Sequence, residues 1–291
     1  MPELPDLAIV ADALHAALAG RSVQDAEAPA PLAVRGTPDE LAALAGQRVE
    51  RVSRRGKFIL IDLDRDGIAI NAMLTGRFQL AAPNERRPAK TAFVLQLGPR
   101  SKPPVDVAAW TIDAPWLPND EAATELRYRD PSQMGKVYLR PARANRAIPG
   151  LGGTEQGPDA DDPALTLDAW RERIRRHPGE LKALLRNQAF VAGIGNAYSD
   201  EILHAARLSP FRKRTSLAPE EVDDLYEATR RVLAEAVDVL RERVPPHFET
   251  QARDFLAVHL RGGQPCPRCG SRLSEVSSRS EATTWCRSCQ R

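Results

Sequence analysis

The chain has 291 residues, 42% of them hydrophobic and 27% charged, with a formal net charge of +2. This composition is typical of a globular protein with room for two cores. The sequence has no apolar run of about 20 residues that could span a bilayer and no secretory signal, so we expect a cytoplasmic protein without a membrane partner. Residues 171–291 carry 21 basic and 16 acidic side chains, which fits either a polyanionic partner or a solvated surface.

The first residues, Met1-Pro2-Glu3-Leu4-Pro5-Asp6, place a proline beside a carboxylate. If the initiator methionine is removed, as a small second residue permits, Pro2 becomes a terminal secondary amine. Pro2 and Glu3 would then form a nucleophile with its own acid–base partner. A carboxylate at a helix start is also ordinary capping electrostatics, which is the alternative interpretation of Glu3.

Residues 5–19 predict a helix, because a proline stands in its first turn and Gly20 follows its last apolar residue. From about residue 48 to 140, short apolar runs alternate with turns, which is typical of strands. The run 58–63, the turn 64–67 and the run 68–74 predict a hairpin, and further strands are predicted at 92–97, 105–112 and 137–139. We therefore expect a β-sandwich or a barrel-like pair of sheets. The apolar face of the first helix should carry Leu7, Val10, Leu14 and Leu18.

Residues 141–163 are rich in glycine and proline and poor in large apolar groups, so they predict a linker. Helical patterns follow at 165–177, 179–187, 196–205 and 219–243. The sequence thus predicts an α+β protein with four parts: a sheet domain over 1–140, the linker, a helical domain over 164–260 and a C-terminal finger over 261–291.

The second and third of these helices are joined by a turn that ends Gly193-Ile194-Gly195-Asn196. Such a turn exposes backbone N–H groups at a helix start, where they favour a phosphate oxygen. Asn196 could add a side-chain donor to that site, or it could be a simple N-cap in a tight helix packing.

All four cysteines lie in the last 26 residues, as Cys266-Pro-Arg-Cys269 and Cys286-Arg-Ser-Cys289. Two Cys-x-x-Cys pairs separated by sixteen residues can close four thiolates around one tetrahedral zinc ion. The alternative is a pair of reduced or disulfide-linked turns without a metal.

Four features in this order resemble the formamidopyrimidine-DNA glycosylase and endonuclease VIII family of base-excision repair enzymes. They are Pro2-Glu3-Leu4-Pro5, Gly56-Lys57, the segment from Gly193 to Glu201 that reads GIGNAYSDE, and the C-terminal cysteine pairs. The resemblance implies an N-terminal β-sandwich with flanking helices and a C-terminal helix-two-turn-helix domain that carries a zinc-ribbon β-hairpin finger. It also implies damaged double-stranded DNA as the partner, a monomer, and one structural zinc without a small-molecule cofactor.

The same resemblance implies base flipping and attack of the Pro2 nitrogen on C1′ of the damaged nucleotide, with loss of the base and then of the 3′ phosphate. Glu3 would move the protons. Lys57, the third residue of this catalytic group, and Asn196 would bind phosphates near the lesion, contacts that position the duplex without reading its sequence.

Two loops depart from the family pattern at the residues that fill the space left by the flipped base. Leu74 stands where a methionine is usual, and Gln133 and Met134 stand where the family has an arginine and a phenylalanine. Asn71 stands where a histidine is common. Apolar Leu74 and Met134 can still wedge between bases, but the missing arginine weakens a demand for cytosine opposite the lesion.

The zinc hairpin departs further, because Glu281 occupies the position of an arginine that contacts phosphate in the family. Arg279, two residues earlier, could substitute, or the lyase step could be impaired; we favour substitution. Residues 244–264 are also too few for the long loop that caps 8-oxoguanine in the formamidopyrimidine branch, which points to oxidised pyrimidines or ring-opened purines as substrates.

Two other hypotheses compete with a bifunctional glycosylase and lyase. The first is a protein of the same fold that binds damaged DNA or abasic sites with weak or no lyase activity. The second is a zinc-ribbon RNA-binding or transcription-associated factor, which would leave Pro2 and Glu3 without a purpose.

Overall fold

The computed structural model describes residues 1–144, 146–278 and 281–291, and for residue 278 it describes the backbone alone. The chain folds into two compact units. The sheet unit comprises Met1–Pro149 and Val239–Gln251, and the helix–ribbon unit comprises Gly150–Asp238 and Ala252–Arg291.

The described residues form helices and strands with the following bounds. The helices are α1 (Leu4–Leu18), α2 (Pro38–Ala42), α3 (Leu167–Arg176), α4 (Leu181–Arg186), α5 (Asn196–Ala205) and α6 (Pro219–Arg243). The strands are β1 (Arg21–Glu27), β2 (Val34–Arg35), β3 (Val49–Arg55), β4 (Phe58–Leu63), β5 (Gly67–Asn71), β6 (Arg77–Ala81), β7 (Thr91–Arg100), β8 (Thr124–Arg129), β9 (Lys136–Arg140), β10 (Ser274–Ser278) and β11 (Glu281–Trp285). None of these helices is long and apolar enough to cross a membrane.

The sheet unit contains two sheets. One has the strand order β1-β7-β8-β6 and is antiparallel throughout. The other has the order β2-β9-β5-β4-β3, in which only the short β2–β9 pair is parallel. The predicted hairpin is present as β4 and β5, with Phe58 opposite Asn71 and Asp62 opposite Gly67. The expected pair of sheets is confirmed.

Helix α1 follows the predicted pattern closely. A proline occupies its first turn, Asp6 adds the favoured negative charge there, and Gly20 follows the C-cap with φ of 81°. This left-handed conformation is the reason the helix stops at a glycine. All four predicted apolar positions are buried: Leu7, Val10, Leu14 and Leu18.

The strand predicted at 105–112 is wrong. The segment contains turns and a 3₁₀ helix at Ala109–Thr111, and Asp106 and Asp113 have positive φ values that a strand cannot contain. Trp110 donates its indole N–H to Asp12 of α1 at 2.8 Å and packs against Trp116. The β-like run of large side chains therefore covers α1 instead of joining a sheet.

Strands β1 and β8 went unpredicted because some of their buried positions are charged. Arg21 of β1 is fully buried and donates to five backbone carbonyls, including those of Ala17 and Gly98. In β8, buried Arg127 and Glu125 pair at 2.7 Å. Buried charge is tolerated only where partners are supplied, and the apolar pattern of a strand does not reveal such positions.

The helix–ribbon unit matches prediction more closely. Helices α5 and α6 have the predicted bounds, and α3 and α4 lie within their predicted ranges. Strands β10 and β11 pair antiparallel, with Ser274 opposite Trp285 and Ser278 opposite Glu281. Helical periodicity is complete within each segment, so these elements required no information from elsewhere in the chain.

Candidate active site and nucleic-acid interface

Pro2 and Glu3 lie at the start of α1, and both are buried. Glu3 precedes the first helical residue, and its backbone N–H donates to Asp6 Oδ2 at 2.8 Å. This hydrogen bond fixes the backbone of Glu3, the residue that follows Pro2. Glu3 itself is only 3% exposed, which places its carboxyl group in a low-dielectric environment beside the proline.

Pro2 lines a small pocket within the sheet unit. One wall comes from α1 and another from the start of β6, including Arg77 and Phe78. The third wall is supplied by residues that follow α6, among them Phe248 and Gln251. Its lining combines apolar side chains with a few polar groups.

Gln251 links the pocket walls. Its Nε2 donates to the Met1 carbonyl at 3.0 Å, and its Oε1 accepts from Arg77 at 3.0 Å. Arg77 also donates to the Gly76 carbonyl at 2.7 Å. Sequence reasoning missed Arg77 and Gln251, since their importance follows only from their distance to the N-terminus in the folded chain.

Lys57 lies on the turn between β3 and β4, where Arg55 pairs with Phe58 and only Gly56 and Lys57 connect them. Gly56 has φ of 56°, which such a tight turn demands. The turn projects Lys57, which is half-buried, from the end of the five-stranded sheet.

The turn with Lys57 and the start of α1 lie at the same end of the sheet unit. Helix α1 packs on β3 and β4 and runs opposite to β3. Gly20 N–H donates to the Val49 carbonyl at 2.8 Å, whereas Val52 N–H donates to Nδ1 of His15 at 3.1 Å. Residues of β3 that are nearer the β3–β4 turn therefore lie beside residues of α1 that are nearer Pro2.

The two loops predicted to carry the wedge residues are joined by hydrogen bonds. Thr75, in the β5–β6 loop, forms hydrogen bonds with Asp130 at the start of the β8–β9 loop and with Ser132 Oγ at 2.7 Å. Asp130 Oδ2 also accepts from Gly135 N–H at 2.7 Å. We call this group of Thr75, Asp130, Ser132 and Gly135 the loop clip.

The loop clip keeps the predicted wedge residues at the surface. Leu74 is 47% exposed and Met134 46% exposed. Gln133 is exposed as well and has a left-handed φ of 57°. Asn71 ends β5, and its Oδ1 accepts from Met73 N–H at 3.1 Å, so this oxygen shapes the loop.

Burial opposes ionisation of Asp130, but hydrogen bonds from Thr75, Gly135 and Ser132 outweigh it and lower the pKa of the carboxyl group. Beneath the clip lies Tyr128, whose hydroxyl would stand 1.9 Å from a Cβ at Gly135. Position 135 therefore requires glycine. Sequence reasoning missed Asp130 and Tyr128, although an Asp-Pro-Ser run is a visible turn signal.

In the helix–ribbon unit, the turn before α5 is organised by Gln188. Its Oε1 accepts from Gly193 N–H at 2.9 Å, and its Nε2 donates to the carbonyls of Arg186 and Ile194 at 2.8 and 2.9 Å. Gly195 is the N-cap and Asn196 is the first helical residue, so the interpretation of Asn196 as the cap is wrong. Gly195 adopts the extended backbone of a cap, which leaves the Asn196 side chain available for other contacts.

Asn196 contacts the zinc hairpin, since its Nδ2 donates to the Ala282 carbonyl at 3.0 Å. Lys182 of α4 donates to the same carbonyl at 2.9 Å and pairs with Asp200 at 2.6 Å. Asp200 also contacts Nδ1 of His259 at 2.8 Å. The predicted Arg279 lies outside the described residues, and Glu281 pairs with Arg186.

The four cysteine thiols converge. Their sulfur atoms lie within 4.8 Å of one another, with Cys266 to Cys289 at 3.9 Å and Cys269 to Cys286 at 3.6 Å. Tetrahedral coordination with Zn–S bonds of about 2.3 Å requires sulfur atoms about 3.8 Å apart. The donor set therefore fits one zinc ion, and Gly270, with φ of 75°, forms the turn after the first pair.

Comparison with known proteins agrees with this arrangement. Three family models match: the formamidopyrimidine-DNA glycosylase N-terminal domain over residues 1–137, the formamidopyrimidine-DNA glycosylase H2TH domain over 156–244, and the zinc finger found in FPG and IleRS over 263–291. Formamidopyrimidine-DNA glycosylases of Chloroflexus aurantiacus and Heliobacterium modesticaldum are each 31% identical to this chain. The two alignments cover 100% of this chain, and they cover 98% and 100% of the respective relative. This chain belongs to the formamidopyrimidine-DNA glycosylase family.

Solved structures of the family have the same fold. The MutM (Fpg) protein of Thermus thermophilus has 30% identity and a TM-score of 0.78, covering 99% of this chain and 98% of its own. Lactococcus lactis Fpg in complex with DNA containing N7-benzyl-Fapy-dG has a TM-score of 0.82 over 99% of both chains, and at 22% identity it shows the fold alone. The predicted family, the fold class and the single structural zinc are confirmed.

Proposed function

We propose that this protein is a bifunctional DNA glycosylase and abasic-site lyase that removes oxidised bases from duplex DNA. The observation that carries the proposal is the position of Pro2, which lines a pocket next to the buried carboxyl group of Glu3. Membership of the glycosylase family, whose relatives carry that name, supports the same reaction.

In the proposed reaction, removal of Met1 frees the Pro2 nitrogen, which attacks C1′ of the damaged nucleotide. The C1′–N bond to the base breaks and its electron pair leaves with the base. Opening of the sugar ring then produces an iminium between Pro2 and C1′. Loss of a proton from C2′ breaks the C3′–O bond and expels the 3′ phosphate.

Glu3 handles protons in this scheme. It accepts the proton of the Pro2 imino group before attack and protonates the sugar ring oxygen as the ring opens. A carboxyl group that is 3% exposed suits both tasks, because little water competes for the proton. Lys57, at the same end of the sheet unit, would bind a phosphate near the reacting sugar.

The remaining predicted residues would hold DNA. Leu74 and Met134, exposed on two loops that hydrogen bonds join, suit insertion between bases after the damaged nucleotide is flipped out. Gln133 can donate and accept toward the orphaned base, and Asn71 supports the first loop. Asn196, beside the start of α5, and Arg279 of the zinc hairpin would bind phosphates.

The proposal assigns catalysis to residues 1–140, a linker to 141–163, helical DNA binding to 164–260 and the zinc finger to 261–291. The protein would act as a monomer on damaged duplex DNA of the nucleoid, without a small-molecule cofactor.

Trapping by borohydride tests the covalent step. A duplex with an abasic site, incubated with the protein and sodium borohydride, should yield a stable protein–DNA adduct, because hydride reduces the iminium. Pro2→Gly should abolish the adduct, and Glu3→Gln should slow its formation by roughly 10²- to 10⁴-fold. Glu40→Gln, which alters a carboxylate of α2 paired with Arg146, should leave trapping unchanged.

Other outcomes favour the competing hypotheses. Tight binding of the abasic duplex without an adduct supports a damage-binding protein with little lyase activity, which Glu281 in the zinc hairpin motivates. A preference for RNA over duplex DNA supports an RNA-binding factor. Mass spectrometry showing that the active protein retains Met1, or carries a blocked N-terminus, would exclude Pro2 as the nucleophile.

The short segment after α6 supports a preference for oxidised pyrimidines or ring-opened purines. Val244, Phe248, Thr250 and Gln251 of this segment line the Pro2 pocket, which leaves little chain to cap a bulky base. Excision rates on duplexes with thymine glycol, a formamidopyrimidine and 8-oxoguanine should therefore be lowest for 8-oxoguanine. A highest rate on 8-oxoguanine would contradict this preference.

A further inference from the structure

Glu281 opens strand β11 of the zinc hairpin and forms an ion pair with Arg186, the last residue of α4. Both side chains are partly solvent-accessible, at 51% for Glu281 and 32% for Arg186. An isolated carboxylate here would repel DNA phosphate. The guanidinium neutralises it, so this surface of the helix–ribbon unit is not acidic at that point.

Further hydrogen bonds hold the strand that carries Glu281 against α4 and α5. The residue after Glu281, Ala282, has its carbonyl held by Lys182 of α4 at 2.9 Å and by Asn196 of α5 at 3.0 Å. Lys182 is 6% exposed and pairs with Asp200, which is 1% exposed. The beginning of β11 is therefore fixed against both helices, unlike the partners of an ordinary surface ion pair.

Arg186 is also tied to the turn that begins α5. Gln188 donates to the Arg186 carbonyl at 2.8 Å and to the Ile194 carbonyl at 2.9 Å, and it accepts from Gly193 N–H. The backbone of Arg186 is thus held to the turn that leads into α5, where the positive end of the helix dipole favours an anion.

We propose that Arg186 is a phosphate-binding residue of this surface, with Glu281 as the carboxylate that holds its guanidinium when DNA is absent. The inference rests on the proposed function, since it supposes that DNA reaches the zinc hairpin. Carboxylate and phosphate oxygens accept from a guanidinium with the same fork geometry, so a phosphate can take the place of Glu281 without moving the helix. Glu281, half exposed, then turns to solvent.

Salt dependence of DNA binding tests the exchange. The probe is a duplex with a tetrahydrofuran abasic analogue, which the enzyme cannot cleave, bound to the zinc-loaded full chain and followed by fluorescence anisotropy between about 50 and 250 mM KCl. Arg186→Ala should weaken binding by roughly 10-fold or more and lower the slope of log K against log salt by about 0.9, because one phosphate contact is lost. Arg186→Lys should keep the slope and lose part of the affinity.

Two further variants distinguish replacement of Glu281 by phosphate from an ion pair that has only a structural role. Glu281→Gln should raise affinity several-fold with an unchanged slope, because Arg186 no longer has a competing partner. Arg231→Ala removes an arginine that pairs with Glu235 on α6, and it should change neither affinity nor slope. An unchanged slope in Arg186→Ala, or lower affinity in Glu281→Gln at full zinc content, would overturn the proposal.

The inference and the proposed function fail differently. If borohydride trapping by the wild-type protein succeeds while Arg186→Ala retains its slope, only the role of Arg186 is refuted. If the wild-type protein neither forms the adduct nor binds the abasic duplex, the proposed function is refuted and the role of Arg186 with it.

Discussion

Asp130 shows how one carboxylate can hold two loops in place. It is fully buried, yet its oxygens accept from Thr75, Ser132 and Gly135, which belong to the two loops that expose Leu74 and Met134. Hydrogen bonds to an ionised carboxylate are stronger than those between neutral groups. The ionised form of Asp130 is therefore the form that keeps the loop clip closed.

The lowered pKa of Asp130 predicts a pH dependence. A carboxyl group with a depressed folded pKa stabilises the fold above its unfolded pKa, about 3.9, and this stabilisation is lost as the pH falls through the folded pKa. Asp130→Asn should cost about 1.5–3 kcal/mol at neutral pH, because an amide cannot accept from all three donors. The Tm difference from wild type should shrink as the pH is lowered below about 4.

Asp62→Asn provides the control for that measurement. Asp62 is 45% exposed and pairs with Arg140 on the surface of the sheet unit, so its replacement should change Tm little at any pH. A Tm difference for Asp130→Asn that is as large at acid pH as at neutral pH would refute the role of the ionised clip.

Among the elements, the C-terminal ribbon depends most on its metal. The cluster around its cysteines comprises four buried residues, Val258, Cys266, Leu273 and Cys286, with Ala257 and Cys289 packed against them. A ribbon of this size cannot offset the conformational entropy of the chain without the zinc–thiolate bonds.

Removal of zinc should unfold the ribbon and spare the sheet unit. Treatment with a strong chelator should make the ribbon between residues 263 and 291 sensitive to protease and weaken DNA binding. Fragments that retain Pro2 and the sheets should survive, and added zinc should restore protection. Cys286→Ser should behave like the chelated protein, whereas Ser288→Ala, a neighbouring surface change, should remain protected. Equal protection with and without zinc would contradict this dependence.

Elements differed in how far the sequence predicted them. Helices α5 and α6 and the β4–β5 hairpin were predicted because apolar spacing within each segment matches its period. The segment 105–112 has the composition of a strand, but Trp110 finds Asp12 of α1, and tertiary contacts override local propensity. Strand β8 was not predicted, because its buried positions include the charged residues Arg127 and Glu125, which pair with each other.

At the scale of the whole molecule, the units do not follow chain order. The sheet unit includes Val239–Gln251, which is separated from the rest of that unit by most of the helix–ribbon unit. This return of the chain brings Phe248 and Gln251 to the pocket that Pro2 lines. The candidate active site is therefore assembled from both ends of the sequence.

The sequence by itself determined the family, the helices of the helix–ribbon unit, the zinc-binding cysteines and the candidacy of Pro2 and Glu3, because periodicity and short motifs are properties of neighbouring residues. Only the tertiary structure revealed that Gln251 contacts Met1, that Asp130 joins two loops and that Arg186 pairs with Glu281. Each of these contacts joins residues that are distant along the chain. Their energy depends on burial and hydrogen-bond geometry, which exist only once the backbone is folded.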